Sequence, residues 1–260
     1  MLNGRRTFLW GIMNMEKQPL LNTYVNNVDM TEAVHAVENM ISEKKKSYIV
    51  AINVDVVVKI EKDRQLKKIV DEADIVLVDG QPLVWISKWH KRPVKAKISG
   101  SDFVPEICKV AADKGYTIYI IGGADGIAEQ AKKNLEQGLP GIKIVGTYAP
   151  PFGFEKNNDE LKKINETISD AHPDLLIVCF GCPKQEKWIY ENYKKYDAIV
   201  SICAGATVDF LAGNVKRAPK WMSNYGLEWL YRATQEPRRL IKRYFIEDTK
   251  IIKLIWKYRK

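Results

Sequence analysis

The chain of 260 residues is poor in several things that would have placed it quickly. It has only three histidines, His35, His90 and His172, and they are scattered, which gives no ligand cluster. Its four cysteines are too few for a disulfide framework in an α/β chain of this length, so reduced thiols are the default. No apolar run approaches the roughly 18 residues that cross a bilayer, which excludes a membrane-spanning segment. There is no Asp-x-Asp, the usual means of holding a diphosphate through a divalent metal. There is no G-x-G-x-x-G, no internal repeat and no low-complexity stretch.

Charge is present but unevenly placed. The formal excess is +9 overall. Residues 211–260 hold thirteen lysines and arginines against four carboxylates, so the whole excess lies there and the first 210 residues sum to zero. A neutral body with a cationic tail implies an anionic partner for the tail: nucleic acid, an anionic membrane or a phosphorylated substrate.

The body alternates short β-rich runs with helical periodicity. Strands are predicted at 48–53, 75–78, 117–121, 142–145, 175–180 and 198–203. Helices are predicted at 55–73, about 126–137 and 159–171, and Pro183 opens another at its first turn. This spacing implies βαβ units and a Rossmann-like, mostly parallel sheet with helices on both faces. Residues 1–210 form that core. Beyond 211 the pattern turns to basic, aromatic helices, a C-terminal appendage over 211–260.

Ligands bind such sheets beyond the C-terminal strand ends. There the sequence places Asn53, Asp79-Gly80, Gly122-Gly123, Gly181-Cys182-Pro183 and Ala204-Gly205. Asp79 can act as a general base or cap the helix at Pro82, and the residues alone favour the cap. Gly122 and Gly123 let backbone N–H groups approach a phosphate, or simply make a tight turn. Lys184 and Gln185 project from the first turn after Pro183, near any anion bound there. Cys179 and Cys182 form a C-x-x-C, but Cys179 lies in an apolar strand and no second pair completes a zinc site. In the tail, Arg232, Arg239 and Arg243 recur at i, i+7 and i+11, hence on one helical face, with Lys242 beside it. Interleaved Trp221, Trp229, Tyr231, Tyr244, Phe245 and Trp256 suit a membrane interface better than a fully solvated face. Two other classes compete: a nucleic-acid binder using the tail, although nothing in the body resembles a recognition module, and a nicotinamide-dependent oxidoreductase, although no acid marks a ribose. Arg5-Arg6-Thr7-Phe8-Leu9 looks like a twin-arginine export signal, but the short apolar stretch behind it and the lack of a cleavage site favour a cytoplasmic protein.

Three ordered motifs carry a resemblance. They are Gly181-Cys182-Pro183-Lys184-Gln185-Glu186-Lys187-Trp188; Ala204 to Gly213 followed by Lys216-Arg217-Ala218-Pro219; and Gly226-Leu227-Glu228-Trp229-Leu230-Tyr231-Arg232 with Gln235 to Arg239. Together they resemble the WecG/TagA/CpsF glycosyltransferases (family 26, GT-E fold) over most of the chain, from about Asn53 to Tyr244. The resemblance implies an inverting, metal-independent transfer needing no cofactor. A UDP-sugar is the donor, and the acceptor is a sugar on a polyprenyl diphosphate, in bacterial cell-surface polysaccharide or teichoic acid synthesis. The expected donor sugar is N-acetylmannosamine or its uronic acid, with UDP-glucose, UDP-galactose or UDP-glucuronate as alternatives. It implies Asp79 as the base, reversing the cap reading, with Asn53 and Gln185 beside it in catalysis. Substrate contacts would come from Gly80, Gly122, Gly123, Gly181, Pro183 and Lys184, and from Arg232, Arg239 and Lys242 on the appendage. No metal and no nucleic acid are implied. The appendage would rest on the inner face of the cytoplasmic membrane, and the core would self-associate. The chain departs from the family at Ala51, where Thr is common, and at Gly80-Gln81-Pro82, where some members carry Gly-x-Gly.

Overall fold

A computed structural model describes residues 15–219, 221–222 and 226–259, with the side chains of Arg238 and Arg239 excluded. The arginine pair at 5 and 6 lies outside the described residues.

Six parallel strands form the sheet: β3 (Ser47–Ile52), β4 (Ile75–Val78), β5 (Thr117–Gly122), β6 (Lys143–Tyr148), β7 (Leu175–Cys179) and β8 (Val200–Cys203). Their spatial order is β4-β3-β8-β7-β5-β6. Except at the edge strand β6, whose Lys143 and Val145 are exposed, the strands are near-continuous apolar runs because both faces of the sheet are covered. Alternate residues still separate cleanly. Tyr48, Val50, Ile52, Val76, Val78, Tyr119, Ile121, Leu176 and Val178 join one buried cluster. Ile49, Ile75, Leu77, Ile118, Ile120, Leu175 and Ile177 join the other, on the opposite face. The doubly covered α/β core expected from the sequence is therefore present.

The boundaries differ in instructive ways. The helix expected over 55–73 is two, α2 (Val54–Ile60) and α3 (Arg64–Asp71). The break falls at Asp63, whose carboxylate accepts the Leu66 N–H at 2.9 Å and so starts a new helix. Pro183 precedes α8 (Lys184–Asn192) as its cap rather than filling its first turn. Ahead of Tyr48, where the sequence reading has no element, stand a hairpin of β1 (Lys17–Leu20) and β2 (Thr23–Asn26) and helix α1 (Met30–Ser42). The hairpin shields the sheet edge: Asn26 Oδ1 accepts the Val76 N–H of β4 at 2.8 Å. α4 (Gln81–Trp89) and α5 (Gly100–Lys114) follow β4; α6 (Ile127–Gly138), α7 (Asn158–Ala171) and α9 (Thr207–Leu211) complete the core helices.

The tail folds back onto the core. It contains α10 (Glu228–Gln235), α11 (Pro237–Lys242), a π-helical turn (Arg243–Glu247) and α12 (Ile251–Lys257). Arg232 and Arg243 therefore do not share one helical face; the Arg239 side chain lies outside the described residues. Pro237 ends α10 by removing a donor, and the wide turn at Arg243 shifts the phase again. Leu254 of α12 is buried in the core cluster, and Lys257 pairs with Glu61 at 2.6 Å.

Gly122 ends β5 beside Cys179 of β7, with φ +109°. A Cβ there would meet the Cys179 carbonyl oxygen at 2.5 Å, whereas at Gly126 (φ +76°) the space is open. Gly122→Ala is expected to cost roughly 3–5 kcal/mol, combining overpacking with left-handed strain. Gly126→Ala should cost only about 1–2 kcal/mol. Urea unfolding midpoints of the two variants check the contrast.

Candidate active site

The ends of β3 and β4 carry Asn53 and Asp79 side by side. The Asp79 N–H bonds the Ile52 carbonyl at 2.7 Å, which keeps the two chains in step one residue past the sheet. Asn53 caps α2: its Oδ1 accepts the Val56 N–H at 3.2 Å and also faces Arg243 Nη2 at 3.4 Å. Asp79 caps nothing. The cap of α4 is Gly80, with no side-chain hydrogen bond, so the capping role considered for Asp79 is overturned. Among the described residues its carboxylate has no hydrogen-bond partner and no ion pair. Burial, and after it the nearby Glu228 carboxylate, push its pKa up to about 6; Arg232 and Lys97 pull the other way.

Asp79 and Asn53 line a cavity of about 370 Å³ whose other wall is the tail. Lys97 lines it from the core; Glu228, Arg232 and Arg243 line it from the tail. Ion pairs hold the two parts together. Lys97 Nζ lies between Asp102 at 3.5 Å and Glu228 at 3.7 Å, and Asp102 also takes Arg217 from the second motif. Arg243 Nε lies 3.8 Å from Asp55 and 3.6 Å from Asp248. Burial raises Asp248 to about 6 as well, against the pull of Arg243. The Nε atoms of Arg232 and Arg243 are buried with no hydrogen-bond partner among the described residues.

Arg232 thus stands where the sequence placed it, in the cavity wall. Lys242 does not: it is exposed, and Arg243, one residue on, turns inward. The π turn beginning at Arg243 explains the exchange. The Arg239 side chain lies outside the described residues. Lys97, Glu228 and Asp248 escaped the sequence reading. Glu228 lies inside a motif that was noticed, but Lys97 carries no local signal beyond sitting in a carboxylate-free run, 80–101.

A second cavity, about 630 Å³, opens at the ends of β5 and β7, lined by Gly122, Gly123, Asp125, Phe152, Phe154 and Lys184. The turn and the strand-to-helix junction singled out in the sequence therefore meet. The glycines have a packing reason of their own: a Cβ on Gly123 would lie 3.0 Å from Val208. Lys184 Nζ pairs with Glu155 at 3.1 Å and sits over the rings of Phe152 and Phe154. In the sheet β8 alone separates β3 from β7, so the two cavities flank its end at strand spacings of about 4.8 Å.

Gln185 lines neither cavity. It is buried, and its Oε1 accepts the N–H of Gly181 at 3.3 Å and of Gly205 at 3.0 Å, while Nε2 donates to Glu186 Oε1 at 2.9 Å. It clamps the loops after β7 and β8 together, a positioning role. Gly181 and Pro183 stand in the clamped loop, outside both cavities. Glu186 is fully buried, and burial holds its carboxyl above the usual range. Trp188 packs between Phe180 and Tyr196. All four cysteines are free thiols. Burial pushes the Cys179 thiol up to about 12 and raises the Cys182 thiol as well. Among the described residues, no three His, Cys, Asp or Glu side chains are grouped to hold a metal ion.

Comparison with known proteins finds one family and several named relatives. The family model described as the glycosyl transferase WecG/TagA/CpsF family matches residues 18–260. A protein of Bacillus subtilis (strain 168) named N-acetylglucosaminyldiphosphoundecaprenol N-acetyl-beta-D-mannosaminyltransferase is 29% identical over 226 residues, 86% of each chain. Proteins of the same name from Bacillus spizizenii (strain W23) and Staphylococcus aureus (strain MW2) are each 26% identical, over 86% of both chains and over 87% of this chain and 88% of the relative.

The clamp predicts that Gln185→Ala, by removing the partner of two part-buried N–H groups and of a buried carboxylate oxygen, costs roughly 1–3 kcal/mol. Gln185→Glu would set a second carboxylate against Glu186 and cost at least as much. Thermal unfolding of the two variants beside wild type checks both.

Proposed function

The chain belongs to the WecG/TagA/CpsF family of glycosyltransferases, and we propose that it transfers N-acetylmannosamine, or its uronic acid, from a UDP-sugar to N-acetylglucosamine on a polyprenyl diphosphate. The relatives' shared name supports that donor sugar and that acceptor. One observation carries the mechanism: a carboxylate at a strand end, without a partner, inside a cavity roofed by cations from the tail.

The acceptor hydroxyl enters the first cavity and gives its proton to Asp79. Its oxygen attacks the anomeric carbon from the face opposite the leaving group. The bond from that carbon to the phosphate oxygen breaks, UDP departs, and the configuration inverts. A base near pKa 6 suits this at neutral pH, being ionised yet still basic. Arg232, Arg243 and Lys97 offset diphosphate charge in place of a metal ion. The nucleotide extends across the end of β8 toward the second cavity, where Lys184 and the N-terminus of α6 favour an anion. The lipid of the acceptor stays in the membrane. Contact with it is made by the cationic tail on the anionic inner leaflet; among the described residues no helix is long and apolar enough to cross a membrane.

UDP release from UDP-N-acetylmannosamine, with a polyprenyl-diphosphate N-acetylglucosamine acceptor in micelles, tests the reading. Asp79→Asn should lower kcat by roughly 10²–10⁴-fold, the range for a lost general base. Because the folded pKa is raised, the base is lost as pH falls, so wild-type kcat/KM should drop below about pH 6. The same shift means that ionised Asp79 weakens the fold increasingly from about pH 4 to 6 and fully above. Asp79→Asn should therefore melt higher than wild type at pH 7.5 while losing transfer. Chelators should leave turnover unchanged. Full activity in Asp79→Asn would remove the base from this mechanism.

A further inference from the structure

The surface beside the first cavity exposes four large apolar side chains from two separate parts of the chain. Trp85 and Trp89 stand at i and i+4 on α4, a helix of the core, and are 52% and 49% exposed. Ile252 and Trp256 stand at i and i+4 on α12, in the tail, and are 58% and 61% exposed. The two pairs meet. The rings of Trp89 and Trp256 pack edge to face with centroids 5.6 Å apart, and the Arg259 guanidinium lies 5.3 Å from each. A contiguous exposed apolar patch of this kind marks a contact surface.

Cations predominate in the two segments that carry them. Residues 80–101 contain five lysines and arginines and no carboxylate; residues 249–259 contain four and again none. Lys88, Lys91, Arg92 and Lys253 are exposed and have no ion pair among the described residues. The first turn of α4, at Gln81 and Pro82, borders the cavity that holds Asp79, as does Ile252. The patch is therefore continuous with the mouth of that cavity.

We propose that α4 is a second membrane-contacting element, so that the bilayer is engaged by a composite face of core and tail rather than by the tail alone. Its occupant is the interfacial zone of an anionic bilayer. Indoles prefer the headgroup level, where the ring leaves water and the N–H keeps a partner, and the surrounding cations meet lipid phosphates. The face is contiguous only while α12 is docked against the core. Bilayer contact consequently favours the docked tail, which is the arrangement that roofs Asp79. This rests on the proposed function only for the presence of a lipid-linked acceptor; the bilayer contact itself is read without donor or acceptor.

The test is co-sedimentation of the full chain with vesicles of phosphatidylcholine alone and of phosphatidylcholine with phosphatidylglycerol. Wild type should partition to the anionic vesicles and be released by salt. Trp85→Ala/Trp89→Ala should partition at least tenfold less while keeping its thermal midpoint, and Trp256→Ala should show a comparable loss. A second measurement does not depend on the indoles. Lys88→Cys, in a Cys182→Ser background, is labelled with an environment-sensitive fluorophore, whose emission should shift to the blue on adding anionic vesicles. Partitioning unchanged in the Trp85/Trp89 variant, or an unshifted label on vesicle-bound protein, would overturn the core's share. No partitioning of wild type at all would overturn the face entirely. A protein that partitions as described yet transfers no sugar would instead sink the proposed reaction and leave this inference standing.

Discussion

An ionisable carboxyl group held in a cavity without a hydrogen-bond donor is an expensive arrangement, and among the described residues Asp79 has none. The rest of the molecule is arranged around that strain. The parallel sheet delivers the group to a shared edge. Gly80, lacking a side chain, takes over the start of α4 so that the carboxylate need not. The tail then covers it with charges of both signs: Glu228 opposes ionisation and Arg232 favours it. The balance of those two, over the cost of burial, sets how readily the group takes a proton.

The tail's positive charge is divided by direction. Arg217, Arg232 and Arg243 face the core, where they meet Asp102, the cavity and Asp55 with Asp248. Lys242 and Lys253 face solvent. Formal charge counted along the sequence merges these two populations, although one assembles a site and the other is free to meet an outside partner. The same division appears in the core, where Lys97 turns in and Lys88, Lys91 and Arg92 turn out.

What could be read from the sequence follows from what was periodic or chemically singular. Strand alternation in Ile118 to Ile121 and Leu175 to Val178 is visible because each residue answers to a buried face. Asp79 is visible because an acid at the end of an apolar run is unusual. The hairpin at 17–26 was hidden, since its four-residue strands are edge elements with polar positions such as Gln18 and Asn26 and no long apolar run. The arginine register failed because helical spacing was carried through Pro237 and into a π turn, and neither conserves phase. Gln185 was legible as important but not as a clamp: its partners, the N–H groups of Gly181 and Gly205, are backbone atoms on two loops, which sequence spacing cannot bring together. Lys97 is an ordinary lysine until the tail's Glu228 arrives beside it.

The order of the chain gives the roof over Asp79 a consequence in time. The sheet edge that presents the carboxylate uses residues up to β8, whereas Arg232, Arg243 and Leu254 all come later in the chain. During synthesis from the N-terminus, the ribosome releases a nearly complete sheet before it releases the cover. A nascent chain of that length therefore lacks the Glu228, Arg232 and Arg243 wall beside Asp79. The tail's wall of that cavity arrives with the last helices, after the sheet that it covers.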